Sequence, residues 1–84
     1  MSAEHIYMPK LGMHMTEGTV SEWLLADGDY CEQGAVVVEI ETEKVAHEVE
    51  APIAGYVRIV VPEGETVDVG TVLAEIAAEP ANTQ

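Results

Sequence analysis

Apolar and polar residues alternate with a period of two along most of this chain. Residues 36–41 read Val-Val-Val-Glu-Ile-Glu, which places Val36, Val38 and Ile40 on one face and Val37, Glu39 and Glu41 on the other. Residues 45–50 repeat the device, with Val45, His47 and Val49 set against Ala46, Glu48 and Glu50. Such alternation marks strands with one buried face. Further strands are predicted at 4–8, 19–25, 55–61 and 71–77. No stretch spaces its apolar residues at i, i+3, i+4 and i+7 between caps, so the fold class is all-β. Ala26-Asp27-Gly28-Asp29 and Pro62-Glu63-Gly64-Glu65 read as turns, and Gly34, Gly55 and Gly70 mark further bends. Pro52 and Pro62 fall at strand ends, where a missing N–H does least harm.

The same pattern occurs twice. A shift of 36 residues carries Gly28 onto Gly64, Asp29 onto Glu65, Gly34 onto Gly70, Val36 onto Val72, Glu39 onto Glu75 and Ile40 onto Ile76. With one residue of slippage, Gly18-Thr19-Val20 matches Gly55-Tyr56-Val57. Two turn glycines holding the same separation from the same Val-x-x-Glu-Ile ending point to an internal repeat. The expected architecture is two half-domains of about four short strands each. They pack as a flattened β-barrel or sandwich of two four-stranded antiparallel sheets with quasi-two-fold symmetry.

Residues 41–54 join the halves, and Lys44, one of two lysines, lies there. Neither flanking strand can run straight through without breaking its alternation, so the hairpin tip falls near 43–44. At a tip the lysine side chain projects away from the barrel into water. By position alone it is an ordinary loop lysine.

Size and charge narrow the functional classes. A chain of 84 residues is one small domain with a modest core and little room for a substrate pocket. Residues 1–77 form that domain, and 78–84 read as the start of a linker or a frayed tail. Three basic residues against sixteen acidic ones give a net charge of −13, which repels nucleic acid and anionic lipid and suits basic docking surfaces on partners. No apolar run is long enough to span a membrane, and the start lacks a signal-peptide pattern. No acid–base or nucleophilic constellation stands out, so the domain is not expected to be an enzyme by itself. His5, His14 and His47 lack metal-ligand spacing. Cys31 falls at the position of Val67 in the other half and reads as a small core residue; Trp23 reads as core too.

The run Glu41-Thr42-Glu43-Lys44-Val45, followed by Glu48-Val49-Glu50-Ala51-Pro52, resembles the attachment hairpin of lipoyl domains, whose usual core is Asp-Lys-Ala. Met8-Pro9-Lys10-Leu11-Gly12 and Met15-Thr16-Glu17-Gly18 resemble the opening loop of such domains in 2-oxo acid dehydrogenase complexes. Val61-Pro62-Glu63-Gly64-Glu65 and Val69-Gly70 fit downstream, so the likeness runs from about 6 to 77. Two departures stand out: Glu43 replaces Asp, and Val45 replaces Ala. Biotin carrier domains share this fold but set their lysine between two methionines; here Glu43 and Val45 flank it.

The resemblance implies lipoate joined covalently to Lys44 by a lipoate ligase or lipoyl transferase. It implies a domain of a dihydrolipoamide acyltransferase component, or a free-standing carrier. The implied partners are a thiamine-diphosphate decarboxylase component, an acyltransferase catalytic domain and dihydrolipoamide dehydrogenase. Acyl groups and reducing equivalents pass among them on the arm, so the chemistry belongs to the cofactor and the partner sites. Glu43, Val45, Gly12, Met13 and His14 are the implied recognition residues. His47 stands where lipoyl domains more often carry an apolar residue, and a half-buried, hydrogen-bonded histidine is expected. An isolated monomer in the cytoplasm, or in the mitochondrial matrix, is expected as well. A biotin carrier and an unmodified barrel used as an interaction module are the alternative readings.

Overall fold

The computed structural model describes residues 3–42 and 45–78. Eight strands form two four-stranded antiparallel sheets: β1 Ala3–Tyr7, β2 Glu17–Trp23, β3 Tyr30–Cys31, β4 Val36–Thr42, β5 Val45–Glu50, β6 Gly55–Ile59, β7 Thr66–Asp68 and β8 Val72–Ala77. One sheet has the order β1-β8-β6-β3 and the other β5-β4-β2-β7. Among the described residues no helix is long and apolar enough to cross a membrane. The six longer strands match those expected from alternation to within about two residues at each end. The short edge strands β3 and β7 are too brief for alternation to reveal them.

The two sheets are images of one another, β1 matching β5, β8 matching β4, β6 matching β2 and β3 matching β7. Hydrogen bonds confirm this position by position. Gly28 N–H donates to the Val57 carbonyl and Gly64 N–H to the Val20 carbonyl. Gly34 N–H donates to the carbonyl of Ala51, and Gly70 N–H to that of Met8. These four glycines hold φ between 87° and 93°, a left-handed conformation that side chains with a Cβ resist. The two turn-glycine pairs expected from the repeat are therefore equivalent.

The one-residue slippage also has a structural cause. The register between β2 and β4 shifts between Val20 and Glu22, whereas β6 runs along β8 without a shift. Ser21 is thus one extra residue bulged out of β2, and the repeat spacing changes there from 37 to 36.

The alternation expected across 36–41 fails at one position. Val37, assigned to the outer face, is fully buried together with Val38 and Ile40. The cause is a second bulge: β5 pairs Glu50 with Val36 and Val49 with Val38, leaving Val37 between them. Its counterpart Leu73 sits in the matching bulge of β8 and is fully buried beside Ala74. Val20, Val57, Ile40, Ile76 and Leu73 fill the space between the sheets, each such burial contributing roughly 1.5–3 kcal/mol. Trp23 closes one end, its indole N–H donating to the Val61 carbonyl at 2.9 Å. No polar or charged side chain is buried among the described residues.

The outer faces differ. Across one sheet His5, Glu75 and Arg58 lie side by side, and His5 Nε2 is 3.4 Å from a Glu75 carboxylate oxygen. The equivalent row in the other sheet is Glu48, Glu39 and Glu22, three like charges abreast. Such neighbours repel. Glu39→Arg should raise stability by roughly 0.5–1 kcal/mol at low ionic strength, with a smaller gain in salt. Thermal melts at two salt concentrations check this, and an unchanged midpoint in low salt would refute it.

Candidate functional site

The β4–β5 hairpin ends where Thr42 pairs with Val45, leaving residues 43 and 44 as the link between partners. Glu43 and Lys44 lie outside the described residues. The inward-facing row does not stop with the core. Beyond Val38 and Ile40 it continues through half-buried Thr42, and on the neighbouring strand through half-buried Val49 and His47 to Val45, which is 52% exposed.

A loop between β1 and β2 lies over this end of the sandwich. Met15 N–H donates to the Gly12 carbonyl at 3.2 Å, and Leu11 N–H points at the Met15 sulfur at 3.2 Å. The Met15 side chain is buried and anchors the turn, while Leu11 and Met13 stay exposed, Met13 to 82%. Gly12 and His14 are exposed as well. Residues 11–15 on one side and Thr42, Val45 and His47 on the other enclose a concavity of about 260 Å³. The outer side of the loop borders a second hollow of about 220 Å³, lined largely by hydroxyls and carboxylates including Thr19, Glu17, Glu41 and Thr66.

This loop has no counterpart in the other half. Met8 and Ala51 make equivalent hydrogen bonds, as do Val20 and Val57. Residues 9–17 lie between Met8 and Gly18, whereas only residues 52–54 lie between Ala51 and Gly55. Six extra residues are therefore placed against the hairpin that carries Lys44, and nowhere else in the pseudo-symmetric frame.

The structure thus brings four of the expected recognition residues, Gly12, Met13, His14 and Val45, around one hollow. Sequence reasoning did not assign Thr42 or His47 to it. The available signal was alternation, which puts His47 on the face of Val45. His47 is half-buried as expected, but its side chain makes no hydrogen bond among the described residues. Cys31 is buried, and burial pushes its thiol above the usual range against a backbone hydrogen bond from Gly55 that lowers it, with Glu32 raising it further. A buried, protonated thiol is a poor nucleophile. Among the described residues no three His, Cys, Asp or Glu side chains group as a metal site.

The chain is 43% identical to the dihydrolipoyllysine-residue acetyltransferase component of the pyruvate dehydrogenase complex of Corynebacterium glutamicum, across 99% of this chain and 13% of that protein. It is 40% identical to the lipoamide acyltransferase component of the branched-chain alpha-keto acid dehydrogenase complex of Bacillus subtilis, across 98% of this chain and 20% of that protein. It is 44% identical to the dihydrolipoyllysine-residue acetyltransferase component of the acetoin cleaving system of Pseudomonas putida, across 90% of this chain and 21% of that protein. The chain therefore spans about an eighth to a fifth of the length of these relatives. The family described as "Biotin-requiring enzyme" matches residues 4–76, nearly the whole folded unit, and the chain belongs to this biotin/lipoyl-attachment family.

Proposed function

We propose that this chain is a lipoyl carrier domain whose Lys44 takes lipoate in amide linkage. The observation that supports it most is the pairing of Thr42 with Val45, which leaves only Glu43 and Lys44 between two strands anchored in the core. A primary amine at the end of a stiff hairpin can enter another enzyme's site while the barrel stays folded. When bound, a lipoyl group supplies a dithiolane that takes up an acyl group with two electrons and gives both up again. The barrel holds the attachment point, and tethering gives high effective concentration at each partner site.

The flanks favour lipoate over biotin, since Glu43 and Val45 stand where biotin carriers have methionines. The partners on this reading are a lipoate ligase or lipoyl transferase, a thiamine-diphosphate decarboxylase, an acyltransferase catalytic domain and dihydrolipoamide dehydrogenase, in the cytoplasm or mitochondrial matrix. Pyruvate, branched-chain and acetoin systems all occur among the relatives, so the proposal extends to an acyl group and not to a particular one.

Intact mass after incubation with lipoate and biotin, each with its ligase, tests the reading. A single lipoyl increment mapping to Lys44 is expected. Loss of one positive charge takes the net charge from −13 to −14, so native electrophoresis should show faster migration toward the anode. Label on Lys10, or a biotin increment on either lysine, would overturn it. No increment with either ligase would favour an unmodified interaction barrel.

A further inference from the structure

We propose that Met13 is a reversible oxidation site, which takes one oxygen atom from a hydroperoxide to become methionine sulfoxide while the barrel stays folded. Met13 is 82% exposed, more than any other large apolar residue among those described. It stands on the surplus loop that only the first half possesses, and it lines the 260 Å³ concavity together with Leu11 and Val45. An exposed thioether is a common target of such oxidants. The sulfur lone pair attacks one peroxide oxygen, and the S–O bond forms as the O–O bond breaks. The other oxygen leaves as water with both protons. Sulfur gives up two electrons and the peroxide takes them. Methionine sulfoxide reductases, one class for each sulfoxide epimer, reverse the change. In that step the sulfoxide oxygen leaves as water while two thiols of the reductant become a disulfide.

The other described sulfur atoms are shielded. Met8 is 1% exposed and Met15 7%. The Met15 sulfur also accepts the Leu11 N–H at 3.2 Å, which occupies a lone pair that oxidation needs. Cys31 is buried as well, and burial pushes its thiol up, so the thiolate that attacks peroxides is scarce. The loop therefore divides two tasks between two methionines. Met15 anchors it from inside, and Met13 stands outside, where a change leaves the core untouched. Oxidation turns a flexible apolar side chain into a polar, chiral one. At Met15 it would strip the turn of its anchor. At Met13 it falls on the apolar part of the hollow's wall, beside Leu11 and Val45, and changes what the hollow can hold without unfolding the domain.

The test treats the unmodified chain with hydrogen peroxide and follows oxygen uptake at each methionine by peptide mass mapping. Exposures of 82% and 7% set oxidation at Met13 about ten times faster than at Met15, with Met8 slower still. In concentrated urea the same ratios should fall to about one, because unfolding removes the shielding. Reductases of both epimer classes should together return the folded product to its starting mass. The Met13 sulfoxide form should melt within about 4 °C of the untreated chain. Methyl signals of Leu11 and Val45 should move on oxidation, while those of Val20 and Val57, from the core, should not. Met13→Leu should remove the fast phase of oxygen uptake and keep the melting temperature. Equal rates at Met13 and Met15 in the folded chain would overturn the site. So would a sulfoxide that the reductases leave in place, a lost melting transition, or unmoved Leu11 and Val45 signals.

Discussion

Lys44→Arg should abolish lipoylation completely while leaving the melting curve nearly unchanged. Amide formation needs an amine that can give up its proton, and a guanidinium stays protonated at any working pH. Substitutions that leave the packed core untouched usually change stability within about 0.5 kcal/mol, and every described core residue is unchanged here. The sharper form of the experiment moves the lysine without removing it. Exchanging Glu43 with Lys44, or Lys44 with Val45, preserves composition and charge. Val45 begins β5 on the inward-facing side, so a lysine there starts from the wall of the concavity. Successive residues of a strand point to opposite faces, and a one-residue move therefore re-aims the amine. Both exchanges should nearly abolish incorporation by the ligase, whereas Glu43→Asp and Val45→Ala should retain it around an unmoved lysine. The readouts are intact mass over time and thermal melts of each unmodified variant. Incorporation at the wild-type rate from a shifted position would mean that the ligase reads a flexible peptide, and the case for presentation by the fold would fail.

Much of the fold was legible because the chain states it twice. Glycines at 28, 34, 64 and 70 are held at positive φ by the same turns, and that requirement survives in sequence even where side chains have diverged. The divergence itself is informative. Thr19 and Thr66 share a hydroxyl hydrogen bond at 2.7 Å at the place where Tyr56 and Tyr30 stack edge to face with centroids 5.2 Å apart. One register supports either pair, so the frame persists while its surface changes. The alternation rule failed at Val37 because a bulge breaks the period of two, and nothing in a run of three valines says where the extra residue goes.

The site was legible in a different way. Lys44 stood out through its motif and its place between two alternating runs, both of them local signals. The concavity beside the β4–β5 strands is built from residues 11–15 and from residues about thirty positions later, and no local pattern joins such segments. The extra length of the first loop could have been noticed by aligning the two halves, since Met8 to Gly18 is longer than Ala51 to Gly55. Where that surplus folds became visible only when β2 was seen beside β4, which brings the loop to the hairpin.

The same comparison of halves yields the largest expected effect on stability. Gly18 and Gly55 occupy equivalent positions, each buried at the start of its strand and paired with an edge strand, at Val67 and Cys31 respectively. A Cβ at Gly55 would collide with the carbonyl oxygen of Ala77 and approach the Ala77 carbonyl carbon and Ile76 Cγ2 at 2.9 Å. That backbone belongs to β8, which is bonded to β1 on one side and β6 on the other and cannot retreat without opening both ladders. A Cβ at Gly18 would instead meet the Met8 sulfur at 2.7 Å and the methyl carbons of Met8 and Met15 at 3.2 Å, the free ends of flexible side chains. Gly55→Ala should therefore destabilise the domain by about 3 kcal/mol or more, and Gly18→Ala by about 1 kcal/mol, the low end for overpacking. For a domain of this size those losses lower the melting temperature by roughly 12–24 °C and 4–8 °C respectively. Thermal melts and urea titrations of the two unmodified variants measure the difference. Equal losses at the two sites would show that β8 yields as readily as a methionine side chain, and the central strand would then not be the rigid element on which the barrel is hung.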